Sequence, residues 1–242
     1  MPTRRIVIGK IEGEAAIPTH AVLFDFDFTL GDSSPGIVKC VGHALTDLAF
    51  PVPPVSRILA TVGLTLEETF RELTGRSDAL IASRFTKLFH EHAEHVMEAS
   101  TTIYEDAYPV LRKLRTAGIG TGIVSTKLHH RLQGIVRRNG LEECIGVIIG
   151  ADDVTHPKPD PEGILVALKT LDVPPASAVY VGDHVVDAET AKNAGVSFVA
   201  TLSGTCSRSS FDRYTCRGIV DNLGNLPKVL DAELSGSLNG QR

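Results

Sequence analysis

The sequence predicts an α/β protein, a doubly wound parallel sheet with a block of four helices inserted after its first strand. Three observations carry that expectation. From Tyr108 onward, short apolar runs alternate strictly with amphipathic helical stretches, the pattern of parallel strands joined by crossover helices. Between Pro35 and Ser100 every apolar period is helical and no run reads as a strand. Ahead of both lies the stretch from Ala21 to Leu30, an apolar run that ends in Asp25, Asp27 and Thr29 at alternate positions. Side chains of an extended chain alternate faces, so these three would share one face and Phe24, Phe26 and Phe28 the other.

Taken in order, residues 1–20 are an extension in which Arg5 to Ile11 has the pattern of a short strand, and residues 21–26 are a strand. Ile37–Leu48, Val55–Val62, Leu66–Leu73 and Asp78–Met97 then carry apolar residues at three- and four-residue spacing, the signature of amphipathic helices. Pro51, Pro53 and Pro54 separate the first pair, and Gly75 the last. Further helices are expected at Tyr108–Ala117, Leu128–Asn139, Pro161–Leu171, Val185–Ala194 and Leu226–Leu230. Strands are expected at Ile119–Val124, Ile145–Ile149, Ala178–Val181, Ser197–Thr201 and Gly218–Val220. The Rossmann-like α/β core then comprises residues 1–32 and 105–242, and the inserted helical domain residues 33–104. The tail from Ser235 to Gly240 reads as frayed.

The totals exclude several classes of function. A net charge of −5, from 24 basic and 29 acidic residues, leaves no basic footprint for nucleic acid or an anionic membrane. No apolar run approaches the ~20 residues that span a bilayer, and Ile6-Val7-Ile8 is too short for a signal-peptide core. Cys40, Cys144, Cys206 and Cys216 form no CxxC pair and read as reduced thiols of a cytoplasmic protein. A monomer or a homodimer is expected.

Open α/β sheets bind ligands at the carboxyl ends of their strands. Asp25 and Asp27 follow the first strand, Ser125 and Thr126 the second, and Gly182 and Asp183 the fourth, with Asp187 four residues on. Lys158 lies between Pro157 and Pro159 before the helix that follows the third strand. Each has an ordinary reading alone: an acidic turn, a helix N-cap, a helix N-terminal acid, a surface lysine. Together they bring acids, a hydroxyl pair and a lysine to one edge. Asp25 and Asp183 supply hard oxygen ligands suited to Mg²⁺, and Asp187 is a second ligand or an anchor for the others. A carboxylate can also attack phosphorus and form an acyl phosphate. One of Asp25 and Asp27 would then be the nucleophile and the other the general acid and base. Ser125 and Thr126, with the amides of the following helix, suit a phosphate cradle, and Lys158 would offset the charge of both the acids and the phosphate.

The set Asp25-Phe-Asp-Phe-Thr29, Ser125, Lys158-Pro-Asp-Pro161 and Gly182-Asp183 with Asp187 resembles the haloacid dehalogenase-like hydrolase superfamily in order and spacing. The helical insert, Pro159-Asp-Pro-Glu-Gly-Ile-Leu165 and Tyr180-Val-Gly-Asp-His184 are similar to the phosphoglycolate-phosphatase-like branch with its small helical cap. The resemblance implies Asp25 as nucleophile, Asp27 as acid and base, and a Mg²⁺ site of Asp25, the Asp27 main-chain carbonyl and Asp183, supported by Asp187. It implies that Ser125 and Lys158 hold the phosphoryl group and that Thr29 orients the turn. It also implies a cap that opens and closes about joints near Gly31–Pro35 and Thr101–Ala107. This chain departs from the pattern at Phe28, where the family has glycine, and at His184, where a small residue is usual.

The activity expected is hydrolysis of a small phosphorylated metabolite, phosphoglycolate first among the candidates. Inorganic pyrophosphate, sugar phosphates and nucleotides are the alternatives, as are a phosphosugar mutase and, on account of Phe28, an impaired binding protein. The cap loop Gly63-Leu-Thr-Leu-Glu67 has no basic residue of the kind mutases carry there. A dehalogenase has no use for Asp27 or Asp183. Gly118, Gly120 and Gly122 precede their strand rather than follow it, which excludes a dinucleotide loop. His90, His92 and His95 read as a solvated helix face, and Arg71, Arg76 and Arg84 as surface residues that could otherwise meet a substrate carboxylate.

Overall fold

The computed structural model describes residues 18–230; the expected strand at Arg5–Ile11 and the tail from Ser235 lie outside the described residues. The chain runs β1 (Ala21–Phe24), β2 (Gly31–Asp32), α1 (Ser34–Asp47), α2 (Val55–Leu59), α3 (Leu66–Thr74), α4 (Ala79–Val96) and β3 (Thr102–Ile103). It continues through α5 (Ala107–Thr116), β4 (Gly120–Val124), α6 (His129–Arg138), β5 (Val147–Ile149) and α7 (Glu162–Leu171). It closes with β6 (Ala178–Gly182), α8 (Val185–Ala194), β7 (Ser197–Thr201), β8 (Gly218–Val220) and α9 (Leu226–Val229).

Six strands form one parallel sheet in the order β5-β4-β1-β6-β7-β8. The chain leaves β1 in both directions, so helices cover both faces, as the alternation required. The pleat divides β1 between two cores. Val22 and Phe24 join Leu111, Leu132 and Ile135 on one face, and Ala21 and Leu23 join Ile164, Tyr180 and Ala191 on the other. Every residue of β1 is buried, which explains why this run is apolar throughout.

The helices α1 to α4 pack around a core of their own built from Cys40, Leu45, Phe70, Phe85, Phe89 and Met97. Local chemistry sets their ends. Thr65 and Glu68 form a reciprocal capping box at the start of α3, Gly75 closes that helix in the left-handed region, and Asp78 accepts from the first amides of α4. The chain enters and leaves this block through the antiparallel pair of β2 and β3. These two-residue strands carry too little pattern to be read from sequence. Among the described residues, no helix is long and apolar enough to cross a membrane.

The second helix ends at Leu59 rather than Val62, and β5 begins at Val147 rather than Ile145; a third difference bears on the site. The first strand stops at Phe24, not Phe26. The amides of Thr29, Leu30 and Gly31 all converge on the Phe26 carbonyl, and Phe28 adopts φ 60°. The chain therefore coils at Asp25, and period-two alternation does not govern Asp25, Asp27 and Thr29. Phe26 joins the core with Phe24, and Phe28 does not.

Candidate active site

The site lies past the carboxyl ends of β1, β4 and β6, where the strand order reverses. Asp25 and Asp27 leave β1, Ser125 follows β4, and Asp183 follows Gly182 at the end of β6. All four are buried, as are Thr29, Lys127, Lys158 and Asp187. Thr126 is half-buried on the same turn. Every residue expected at the site therefore gathers there.

Lys158 reaches under the carboxylates from the loop before α7. Its ammonium lies 2.9 Å from Asp25 Oδ1 and 2.7 Å from Asp187 Oδ1, and it donates to the Tyr180 hydroxyl at 2.9 Å. That hydroxyl donates to the Val124 carbonyl at 2.8 Å, so Tyr180 ties the lysine to β4. Burial alone would lower the Lys158 pKa. Asp187 and Asp25 outweigh it and hold the ammonium well above its ordinary value. Asp187 also accepts from the His184 amide at 3.1 Å. Both of its oxygens are thus engaged, and it serves as helix cap and lysine partner at once.

Asp25, Asp183 and Asp187 offer oxygens that all lie within 4.8 Å of one another. Burial pushes the Asp25 carboxyl up to about 6 against the pull of Lys158. Burial, with Asp187 and Asp25 nearby, pushes Asp183 well above the usual carboxylate range. The hydrogen-bond donor to Asp183 is the Thr29 hydroxyl at 3.3 Å. A Cβ at Gly204 would collide with the Asp183 carboxylate, so the loop after β7 can pass there only as glycine. Asp25 and Asp183 are therefore crowded, desolvated oxygens that a hard cation would satisfy. Such a donor set fits Mg²⁺.

Asp27 lines a cavity of about 80 Å³ between the sheet edge and the helical block. Its Oδ2 pairs with the Lys127 ammonium at 3.1 Å. Its Oδ1 is buried without a hydrogen-bond partner among the described residues. The cavity walls are Ile37, Val41, Val62, Leu64, Leu66, Phe89 and Met97 from the helical block, with Thr126, Lys127, Leu128 and Arg131 from the turn and helix after β4.

The profile of the haloacid dehalogenase-like hydrolases matches residues 22–201. The chain belongs to that family. This haloacid dehalogenase-like hydrolase is 33% identical over 196 residues to the pyrophosphatase PpaX of Bacillus velezensis, covering 79% of this chain and 88% of the relative. It is 40% identical to a structure from Bacteroides fragilis named as a haloacid dehalogenase-like hydrolase, with a TM-score of 0.84 over 86% of this chain and 99% of the other. A structure from Lactobacillus plantarum named for phosphoglycolate phosphatase aligns with a TM-score of 0.77 over 88% and 99% of the two chains. At 23% identity that likeness speaks for the fold alone. The chain is a hydrolase of the phosphatase kind.

Several residues of this hydrolase's site were not singled out from the sequence. Lys127 directly follows the expected Ser125-Thr126 pair, and its adjacency was the available signal. Gly204 carries no such signal, because its contact joins segments far apart in the chain, and Tyr180 stands in the stretch Tyr180-Val-Gly-Asp-His184 with no local sign of its tie to Lys158. The histidines of α4 are corrected in part. His95 is exposed, and His92 stacks on His43 and bonds Asp47 at 3.1 Å. His90 instead turns to the cavity, where its Nδ1 meets Arg131 Nη1 at 3.0 Å. Arg71, Arg76 and Arg84 are exposed and away from the cavity walls. His184 caps α8, with its Nδ1 accepting from the Val186 amide at 3.3 Å and its ring against Gly63.

Proposed function

We propose that this hydrolase is a Mg²⁺-dependent phosphatase of small phosphorylated metabolites that works through an aspartyl phosphate on Asp25. The observation that carries the reading is the division of labour between the front aspartates. Asp25 lies among Lys158, Asp183 and Asp187, whereas Asp27 pairs with Lys127 and lines the cavity under the helical block. The phosphoryl group belongs with the first set, and the leaving group with the second.

Asp25 and Asp183, with the Asp27 main-chain carbonyl, would hold the metal, and Asp187 would anchor them. Bound there, Mg²⁺ supplies positive charge against the phosphoryl oxygens. An Asp25 oxygen attacks phosphorus as the bond to the leaving oxygen breaks, and Asp27 gives that oxygen its proton. Asp27 then takes a proton from water, the water oxygen attacks phosphorus, and the acyl–phosphate bond breaks to return the Asp25 carboxylate and inorganic phosphate. Lys158, Ser125 and Thr126 hold the phosphoryl oxygens in place. Thr29 steadies Asp183.

Residues 33–104 act in this reading as a cap over the cavity, opening at the β2–β3 joint and closing to exclude water. A cavity of about 80 Å³ has room for roughly half a dozen heavy atoms. That suits a leaving group the size of glycolate or phosphate. The apolar walls favour a leaving group that carries carbon. Inorganic pyrophosphate is the second reading, favoured by the 33% identity to a protein named as a pyrophosphatase. The free thiols at Cys40, Cys144, Cys206 and Cys216 suit the reducing cytoplasm.

The test is phosphate release from phosphoglycolate, pyrophosphate, sugar phosphates and nucleotides, for wild type and Asp25→Asn, with and without Mg²⁺. The expected result is release from the small substrates that needs both metal and Asp25. No release from any member of the panel would sink the reading.

A further inference from the structure

We infer that Arg131 is a specificity-determining residue, which with Lys127 reads a second anionic group carried by the leaving group of the substrate. The inference rests on the phosphatase reading above. Arg131 stands on α6, in the core, and lines the same cavity as Asp27 and Lys127. Its side chain is 6% exposed, yet its Nε–H is buried without a hydrogen-bond partner among the described residues. A buried guanidinium donor left unmet is costly unless a small shift of the side chain or a bound group meets it, and Arg131 stands on the wall of this cavity.

The surroundings explain why the donor stays available. The outer edge of the guanidinium is engaged by α4. Nη1 meets His90 Nδ1 at 3.0 Å, and Nη2 donates to the His90 carbonyl at 3.0 Å and to Glu94 Oε1 at 2.5 Å. Burial, then the nearby Arg131 charge, hold His90 below its ordinary pKa. The neutral ring accepts from Arg131 at Nδ1 and carries its hydrogen on Nε2. Glu94 is half exposed, and it pairs with Nη2 on the side of α4. Lys127 adds a second cation on the same wall, paired with Asp27. Eight apolar residues, Leu128 among them, make up most of the remaining lining. The cavity thus offers a carbon-sized apolar slot with cations at its core side, which suits a short leaving group bearing a carboxylate or phosphate.

The geometry also couples recognition to closure. Arg131 belongs to the core, but its partners His90 and Glu94 belong to the helical block. The guanidinium is oriented only while that block sits over the site. A substrate whose second anion engages Arg131 therefore favours the closed arrangement.

The test uses a matched pair, phosphoglycolate and ethyl phosphate, which differ only in the carboxylate. Wild type should prefer phosphoglycolate by about ten-fold or more in kcat/KM, mainly through KM, and Arg131→Gln should lower that ratio by about ten- to a hundred-fold, the worth of a charge-assisted hydrogen bond. Arg131→Lys keeps the charge without the fork and should fall between; it carries the test if the glutamine variant does not fold. No preference in wild type would overturn the inference. So would a parallel loss on both substrates, because a residue that only latches the helical block leaves the ratio unchanged. If wild type releases no phosphate from either, the phosphatase reading fails, and calorimetry with Mg²⁺ still decides this one. Tighter binding of 3-phosphonopropionate than propylphosphonate, lost in Arg131→Gln, would uphold the anion subsite. Equal binding, or none of either, would overturn it.

Discussion

The Ser203 hydroxyl donates to the main-chain carbonyl of Phe28 at 2.5 Å. On its other side the Phe28 amide donates to the Gly31 carbonyl at 2.7 Å, and the residue sits at φ 60° with its ring buried. The loop after β7 thus clamps a turn that a phenylalanine adopts at a cost.

Two terms oppose each other in Phe28→Gly. Relief of the left-handed backbone gains about 1–2 kcal/mol, and loss of a buried aromatic side chain forfeits about 2–3 kcal/mol. The added freedom of glycine in the unfolded chain costs a little more. The variant should be less stable by about 1–2 kcal/mol in urea denaturation. Phe28 is not among the residues that line the cavity, so kcat/KM should change by no more than about three-fold, well short of the ten-fold worth of one transition-state contact. A large gain in rate would revive the view that this phenylalanine impairs the enzyme.

Lys127 and Asp27 are a buried ion pair at 3.1 Å. Lys127→Met strands a buried carboxylate and should cost about 3 kcal/mol of stability. Asp27→Asn/Lys127→Met should cost less than the two single changes added together, and a thermodynamic cycle from denaturant melts would measure the coupling. Additive losses would mean that the pair does not interact.

Gly204 faces the Asp183 carboxylate with no room for a methyl group. Gly204→Ala should displace Asp183 and weaken Mg²⁺ binding by about ten-fold or more, as second-sphere changes at metal sites do. Calorimetric Mg²⁺ titration of wild type and variant checks it. Unchanged affinity would show that Asp183 is not a ligand.

Burial lifts the Asp25 carboxyl from 3.8 to about 6 in the metal-free protein. Its folded pKa lies above its unfolded one, so the stability it contributes is full below 3.8 and lost as pH rises through about 6. Asp25→Asn mimics the protonated form. Without metal it should melt several degrees above wild type at about pH 7, with the gap closing toward about pH 4. Added Mg²⁺ should raise the wild-type midpoint at neutral pH and do less for the variant. A gap that does not vary with pH would refute the argument.

Much of the fold could be read before any coordinate, because its causes are local. β1, β4, β6 and β7 are short apolar runs beside helices of regular period, and α8 and β7 match the expected bounds residue for residue. Asp25 and Asp183 lie at strand ends, where the topology rule brings them together, and Lys158 joins them from the loop before α7. What escaped were features with no local pattern. β2 and β3 are two residues each. His90 looks like any polar residue of α4 until α6 is packed against it.

The doubly wound sheet, the inserted helices and the acid, hydroxyl and lysine set follow from local pattern, since apolar period and strand-end chemistry are written in neighbouring residues. How the charges pair is a matter of packing. Lys127 goes to Asp27, Lys158 to Asp25 and Asp187, and Arg131 to His90 and Glu94. Pairing depends on distance and burial between segments remote in the chain, and those quantities exist only once both faces of the sheet are packed and the helical block sits over its edge.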